Sequence, residues 1–217
     1  MNIIVCIKQV PATTNVQIDE KTGTLRREGV ESIINPFDEY AIEEAVRIKE
    51  RIGAGSKVIA ISMGPPQAEQ ALRDALSRGC DEAILVSDKA FAGADTLATS
   101  YTLSNAIRKI GEFSLIICGK QASDGDTAQV GPGIAEHLDI PHIAYVGKVE
   151  EICSDYIRVH RMMEDGHDIL QAPLPALITV VKEINVPRLP TLRGMIFAKK
   201  AKITYFTKQD IEVDESR

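Results

Sequence analysis

Tryptophan is absent from this sequence of 217 residues, and phenylalanine and tyrosine number only five each. So few rings leave no series of platforms on which the bases of a single-stranded nucleic acid could stack. Positive charge is in the minority: 25 basic against 31 acidic residues give a formal charge of −6. That balance argues against sequence-independent binding to a phosphate backbone. The four cysteines, Cys6, Cys80, Cys118 and Cys153, contain no CxxC pair, so neither a zinc cluster nor a redox dithiol is expected. Cys6 and Cys118 sit inside apolar runs, where thiols are usually buried core residues. No run approaches the roughly 20 apolar residues of a membrane span. The opening MNIIVCIKQVP is too short in its apolar part for a signal peptide and lacks a small-residue cleavage site. The expectation is a soluble protein with reduced thiols, in the cytoplasm or an organelle matrix.

Hydrophobic residues at 44% and charged residues at 26% match ordinary globular proteins and exclude disorder and collagen-like repeats. At roughly 150 residues per domain, the length allows one large domain, with or without an appendage. Short β-branched runs alternate with longer helical patterns over the first two thirds, as in a parallel sheet built from βαβ units. The runs are Asn2–Lys8, Lys57–Met63, Ala83–Val86 and Ser114–Cys118. They are continuous rather than alternating, which predicts strands buried on both faces. Between them the pattern predicts helices over Asp38–Ile52, Pro66–Arg78, Ala94–Ile110 and Thr127–His137. The fold class read from this is α/β, a doubly wound, mostly parallel Rossmann-like sheet with helices on both faces.

From Ile143 onward the texture changes to strands at Ile143–Val149, Tyr156–Arg161 and Ala176–Val181, with a turn at Glu164-Asp165-Gly166. They extend the sheet or form a small antiparallel addition to it. The chain divides into a nucleotide-binding unit at 1–184, with its core at 1–140 and the strand-rich addition at 141–184, and an extended arm at 185–217. NVPRLPTLRG opens the arm, and its prolines disfavour helix, predicting an ordered loop outside the core. Within the arm, Val186–Lys202 holds Arg188, Arg193, Lys199, Lys200 and Lys202 without an acid, whereas Asp210–Arg217 holds four acids and one base, and this charge block sets the arm apart from the acidic whole.

Ligands of doubly wound sheets sit outside the carboxyl ends of the strands, and four connections there carry unusual residues. One is Lys8-Gln9-Val10-Pro11, followed by a stretch rich in Thr and Asp with a turn at Lys21-Thr22-Gly23. The others are Asn35-Pro36-Phe37-Asp38, Ser62-Met63-Gly64-Pro65-Pro66, and GKQASDGDTAQVG from Gly119 to Gly131. With Asp126 or Thr127 as N-cap, the last would present free helix-start N–H groups able to hold a phosphate. The small residues Gly125, Ala128 and Gly131 would admit it closely. Neither Walker A nor GxGxxG occurs, so an N-capped helix after a polar turn stands as the alternative. Asp124 and Asp126 could form a carboxylate pair, yet acids at a helix start are explained by capping. His137, His142, His160 and His167 are scattered without HExxH spacing, and there is no GxSxG elbow. No nucleophile is identified, so any catalysis would rest on a bound cofactor.

Five blocks, in order, resemble the beta subunit of electron-transfer flavoproteins across nearly the whole chain: IVCIKQVP, INPFDEYAIEEAVRIKE, ISMGPPQ, GKQASDGDTAQVGP and LPALITVVKEINVPRLPTLRGMIFAKKAK. The resemblance implies a subunit without independent enzymatic activity, paired with a larger alpha subunit that holds an electron-transferring FAD. It further implies a nucleotide pocket made of Cys6, Ile7 and Lys8; Asn35, Pro36, Phe37 and Asp38; Met63; and Gly119, Lys120, Gln121, Ala122, Ser123, Asp124, Gly125, Asp126, Thr127, Ala128, Gln129 and Val130. In many members that pocket holds structural AMP. In electron-bifurcating members it holds the ADP part of a second FAD, which accepts hydride from NADH.

The small side chains of Ala128 and Val130 resemble the bifurcating and related anaerobe proteins, whereas Ala12 stands where many of those carry an acid. The implied partners are ferredoxin or flavodoxin and an FAD-dependent dehydrogenase of acyl-CoA or hydroxy-acid type, in a bacterial or archaeal cytoplasm. Leu192 is similar in position to the leucine that anchors a dehydrogenase, with Arg188, Arg193 and Lys199 around it for steering. A leucine tucked against its own domain is the alternative. Family members usually continue beyond the basic arm into an extension that wraps the alpha subunit.

Overall fold

Nine strands lie side by side in one sheet of the computed structural model, which describes residues 1–12 and 32–214. In chain order the strands of the protein are β1 (Asn2–Cys6), β2 (Gln9–Pro11), β3 (Ser32–Ile34), β4 (Lys57–Met63), β5 (Glu82–Val86), β6 (Leu115–Gly119), β7 (His142–Ile152), β8 (Tyr156–Met163), β9 (Gly166–Pro173), β10 (Ala176–Val180) and β11 (Thr204–Phe206). The sheet order is β11-β5-β4-β1-β6-β10-β7-β8-β9, and β2 pairs with β3 as a separate ribbon. From β11 to β7 all pairs are parallel. The β7-β8-β9 edge is antiparallel. The predicted turn at Lys21-Thr22-Gly23 lies outside the described residues.

Side chains of a strand alternate between faces, and the buried runs use both. Ile3, Val5, Val58, Ala60, Leu115 and Ile117 join one core with helices α1 (Pro36–Ile52) and α2 (Glu69–Ser77). Ile4, Cys6, Ile59, Ile61, Ile116 and Cys118 join a second core with α3 (Thr96–Ile110) and α4 (Val130–Leu138). Both halves of each strand's pattern are therefore apolar, and each fully buried Ile or Leu contributes about 1.5–3 kcal/mol. The connection after β1 runs over the first face and that after β6 over the second. The strand order reverses between these two neighbours, which makes the crevice above their carboxyl ends the topological switch point.

Three sequence expectations change. The helix predicted from Thr127 begins at Val130, with Gln129 at the N-cap position and no side-chain cap. Asp126 and Ala128 have φ of 53° and 55°, a left-handed conformation that a right-handed helix cannot include. The strand Ala176–Val180, grouped with the addition, lies inside the parallel sheet between β6 and β7, and the antiparallel addition is completed instead by β9. Last, the segment after Val181 rejoins the core. Leu192–Lys200 forms helix α5, N-capped by Thr191 Oγ1, which accepts from Gly194 N at 3.0 Å. Ala198 and Ile203 are buried, and β11 adds to the edge at β5. The prolines at 187 and 190 precede this helix rather than break it, so their veto ends at Thr191.

Candidate functional site

Hydrogen bonds gather the predicted loops into one structure at the switch point. Asn35, 1% exposed, is the strut. Its Nδ2 donates to Asp38 Oδ1 (2.9 Å) and to the Gln121 carbonyl (2.8 Å), and its Oδ1 accepts from Ser123 N (3.0 Å). Lys8 N donates to Asp38 Oδ2 at 2.7 Å, and Lys8 Nζ reaches Asp124 Oδ1 at 2.6 Å. Lys120 N donates to the Val180 carbonyl at 2.9 Å, and its ammonium lies 5.7 Å from the Phe37 ring centroid and 5.6 Å from that of Tyr145. The segment after β1, the start of α1 and the loop after β6 are thus one unit.

Inside it, both loop carboxylates are engaged by the protein: Asp124 by Lys8 and Asp126 by the Gln121 side-chain amide. The loop then offers donors. Among the described residues nothing accepts from the backbone N–H groups of Thr127, Ala128, Gln129, Val130 and Gly131. A row of unmatched N–H groups at a helix start is suited to phosphate or pyrophosphate oxygens. Among the described residues, nothing lies within 4 Å of a Cβ placed at Gly125. Gly131 has a different reason to be small, since a Cβ would sit 2.8 Å from Thr179 Cγ2 on β10.

Among the remaining predicted residues, Cys6 and Cys118 are register partners on β1 and β6 beneath the crevice. A hydrogen bond with Cys6, together with burial, pushes the Cys118 thiol well above its usual range, so it is an inert core thiol. Ile7 is buried and donates its N–H to the Ile61 carbonyl at 2.9 Å. Pro36 is the first residue of α1, and Met63 ends β4 two positions past Ile61, the partner of Cys6. Ala122 accepts from Asp126 N at 2.9 Å, closing the turn.

Sequence reasoning missed Thr96, whose Oγ1 donates to Gln129 Oε1 at 3.0 Å, and Tyr145, held at φ 59° with its N–H on Thr179 Oγ1. The Gly-Pro-Gly at 131–133 was a usable signal for close packing: a Cβ at Gly133 would lie 2.7 Å from Ser100 Oγ. Of the basic cluster, Arg188 is turned onto its own domain. Its Nε bonds Glu43 Oε2 and its Nη1 bonds Glu50 Oε1, both at 2.7 Å. Burial alone would raise the Glu43 carboxyl, but hydrogen bonds from Arg188 and Arg47 hold it below its ordinary value. Leu192, 73% exposed, and the exposed Arg193 and Lys199 lie on α5.

Fold and loop together define a doubly wound α/β protein with a row of unmatched backbone N–H groups at its switch point. The Electron transfer flavoprotein domain model matches residues 22–211. The chain is 55% identical over its full length to the electron transfer flavoprotein subunit beta of Thermoanaerobacterium thermosaccharolyticum, covering 82% of that protein. It is 49% identical over 97% of its length to the caffeyl-CoA reductase-Etf complex subunit CarD of Acetobacterium woodii, covering 80% of it. Protein FixA of Bradyrhizobium diazoefficiens is 43% identical over 99% of the chain, with 76% of that protein covered. The chain belongs to the electron transfer flavoprotein family, on its beta-subunit side. No helix among the described residues is long and apolar enough to cross a membrane.

Proposed function

We propose that this electron transfer flavoprotein beta subunit binds FAD through its ADP part on the 119–130 loop and, with its alpha subunit, takes hydride from NADH. Electrons then go to the alpha-subunit FAD and a partner dehydrogenase, and by bifurcation to ferredoxin or flavodoxin. The observation that carries the nucleotide reading is the row of five free N–H groups from Thr127 to Gly131, beside the uncrowded Gly125. The donor set fits a pyrophosphate: it is neutral backbone, and the nearby carboxylates are already paired. Lys8 and Asn35 hold the loop in place, while Thr96 orients the Gln129 side chain. A flavin bound here would supply the exchange between two-electron and one-electron transfer, and the chain would supply its position and electrostatics. CarD's name, with its caffeyl-CoA reductase, supports a dehydrogenase partner that acts on acyl-CoA compounds. The alternative is a non-bifurcating subunit that holds structural AMP on the same loop.

Co-expression with the alpha subunit, denaturation and nucleotide counting decide between the two. Two FAD and no AMP per heterodimer is the expected result, one of each would establish the AMP form, and a single FAD alone would remove the site. Gly125→Leu should reduce this second nucleotide at least tenfold while leaving the melting temperature of the nucleotide-free heterodimer within about 2 °C of the nucleotide-free wild type, since surface changes of this kind cost within about 0.5 kcal/mol. Unchanged occupancy would exclude the loop as the phosphate site.

For docking we propose α5 with Leu192 as the apolar anchor, Arg193 and Lys199 as steering charges and Arg188 as the residue that fixes the approach. The exposure of Leu192 supports this against the tucked alternative. Leu192→Ala should slow electron delivery to the dehydrogenase by about fivefold to thirtyfold, as loss of an apolar anchor costs about 1–2 kcal/mol. NADH-dependent flavin reduction should be unchanged. Equal loss of both rates would count against docking.

A further inference from the structure

Asp38 falls among the pocket residues by resemblance, yet its carboxylate faces inward. It is 5% exposed. Oδ2 accepts from Lys8 N at 2.7 Å and Oδ1 accepts from Asn35 Nδ2 at 2.9 Å, while the Gly119 backbone packs so closely on the carboxylate that a Cβ there would collide with Oδ1. These donors belong to two pieces of chain, the segment after β1 and the residue before α1, and the end of β6 packs against the same carboxylate. Through Asn35 the same network reaches the Gln121 carbonyl and Ser123 N. A carboxylate accepts at both oxygens, whereas the acid form turns one oxygen into a donor and must release an N–H partner.

We infer that Asp38 is a positioning residue whose ionised form holds the 119–129 loop in its nucleotide-binding arrangement, so that nucleotide affinity rises with pH through neutrality. The inference rests on the nucleotide site proposed above. Burial pushes the Asp38 carboxyl up to about 7, against the lowering by Asn35, Lys8 and Gly119. Folding and loop geometry therefore pull in opposite directions. The folded chain holds this proton between about pH 4 and 7 where the unfolded chain does not, so folding favours the acid form there and loses that advantage as pH rises. The loop needs the ionised form. Other ionisable groups around Asp38 are Lys8, paired with Asp124; Lys120, over the Phe37 ring; and the Cys6–Cys118 thiols, of which Cys118 stays protonated throughout.

The test measures ADP-ribose binding to the alpha–beta heterodimer after removal of its beta-site nucleotide. ADP-ribose carries the group common to FAD and AMP, and its pyrophosphate does not titrate near neutrality. Affinity of the wild type should weaken about tenfold from pH 8 to pH 6, following the ionised fraction of Asp38. Asp38→Asn, neutral and of the same shape, should bind weakly with no slope. A flat wild-type profile, a profile that falls with pH, or an equal slope in the variant would overturn the inference and leave the site standing. ADP-ribose that binds at no pH would remove the site and the inference with it. If Asp38→Asn does not fold, calorimetry of the wild type in buffers of different ionisation enthalpy replaces it. About half a proton should then be released per ADP-ribose near pH 7 and none near pH 9; no release at pH 7 would overturn the inference.

Discussion

Gly119→Ala should cost the heterodimer its second nucleotide and lower its melting temperature by several degrees. A Cβ at this position would stand 2.7 Å from the Phe37 carbonyl carbon, 2.8 Å from Phe37 Cβ, and closer still to Asp38 Oδ1. None of these is the loose end of a flexible side chain. Phe37 belongs to the first turn of α1, and Asp38 is fixed by hydrogen bonds from Lys8 N and Asn35 Nδ2. The methyl group must therefore push α1 away from β6, opening the seam that Asn35 bridges. Overpacking of this kind costs about 1–3 kcal/mol, and at about 2–4 °C per kcal/mol for a chain of this size the upper end is readily seen in a melting curve. Gly125→Leu supplies the contrast: occupancy falls there while stability holds. A Gly119→Ala heterodimer that melts like the wild type and keeps its nucleotide would show that α1 and β6 are not rigidly joined.

The parallel sheet was legible because its strands carry apolar residues on both faces, a pattern that solvent-facing strands do not show. Lys57–Met63 was placed to the residue for this reason. β9 was missed because Gly166–Pro173 is an edge strand with little buried: its Ile169 is 57% exposed, so its pattern resembles a polar loop. β10 was found but misplaced, since chain order says nothing of the crossover that carries β10 back between β6 and β7. Within the site, the loops could be named from the topology rule, but their fastening could not. Nothing local to Asn35 announces that it bonds to the Gln121 carbonyl and to Ser123 N, 86 and 88 residues away in sequence. The helix start was misread by three residues because Asp126 and Thr127 are good capping residues. The left-handed backbone at Asp126 and Ala128 keeps the helix from starting there.

Gly194→Val should detach α5 and produce the largest loss of dehydrogenase-coupled electron transfer in this subunit, exceeding Leu192→Ala. Gly194 is the third residue of α5 and lies directly on the last residue of α2: a Cβ there would collide with the Ser77 carbonyl oxygen and sit 2.9 Å from its carbon. Main chain cannot rotate out of the way as a side chain can, so the helix has to lift. Lifting breaks the bond from Arg73 Nη1 to the Ala198 carbonyl at 2.6 Å and uncovers Ala198 and Ile203. Leu192→Ala, by contrast, trims an anchor on a helix still held in place. Trypsin should therefore cut the variant at Arg193, Lys199 or Lys200 at least tenfold faster than either the wild type or Leu192→Ala, because local opening exposes these bonds. Nucleotide occupancy should persist, since no hydrogen bond among the described residues joins α5 to the 119–129 loop. Wild-type protease resistance with wild-type coupled activity would mean that α5 can shift along α2 without leaving it. Faster cleavage with unchanged coupling would place the dehydrogenase contact somewhere other than this helix. The two predictions thus separate docking from nucleotide binding, the first through Gly194 of α5 where it rests on α2 and the second through Gly119 at the end of β6.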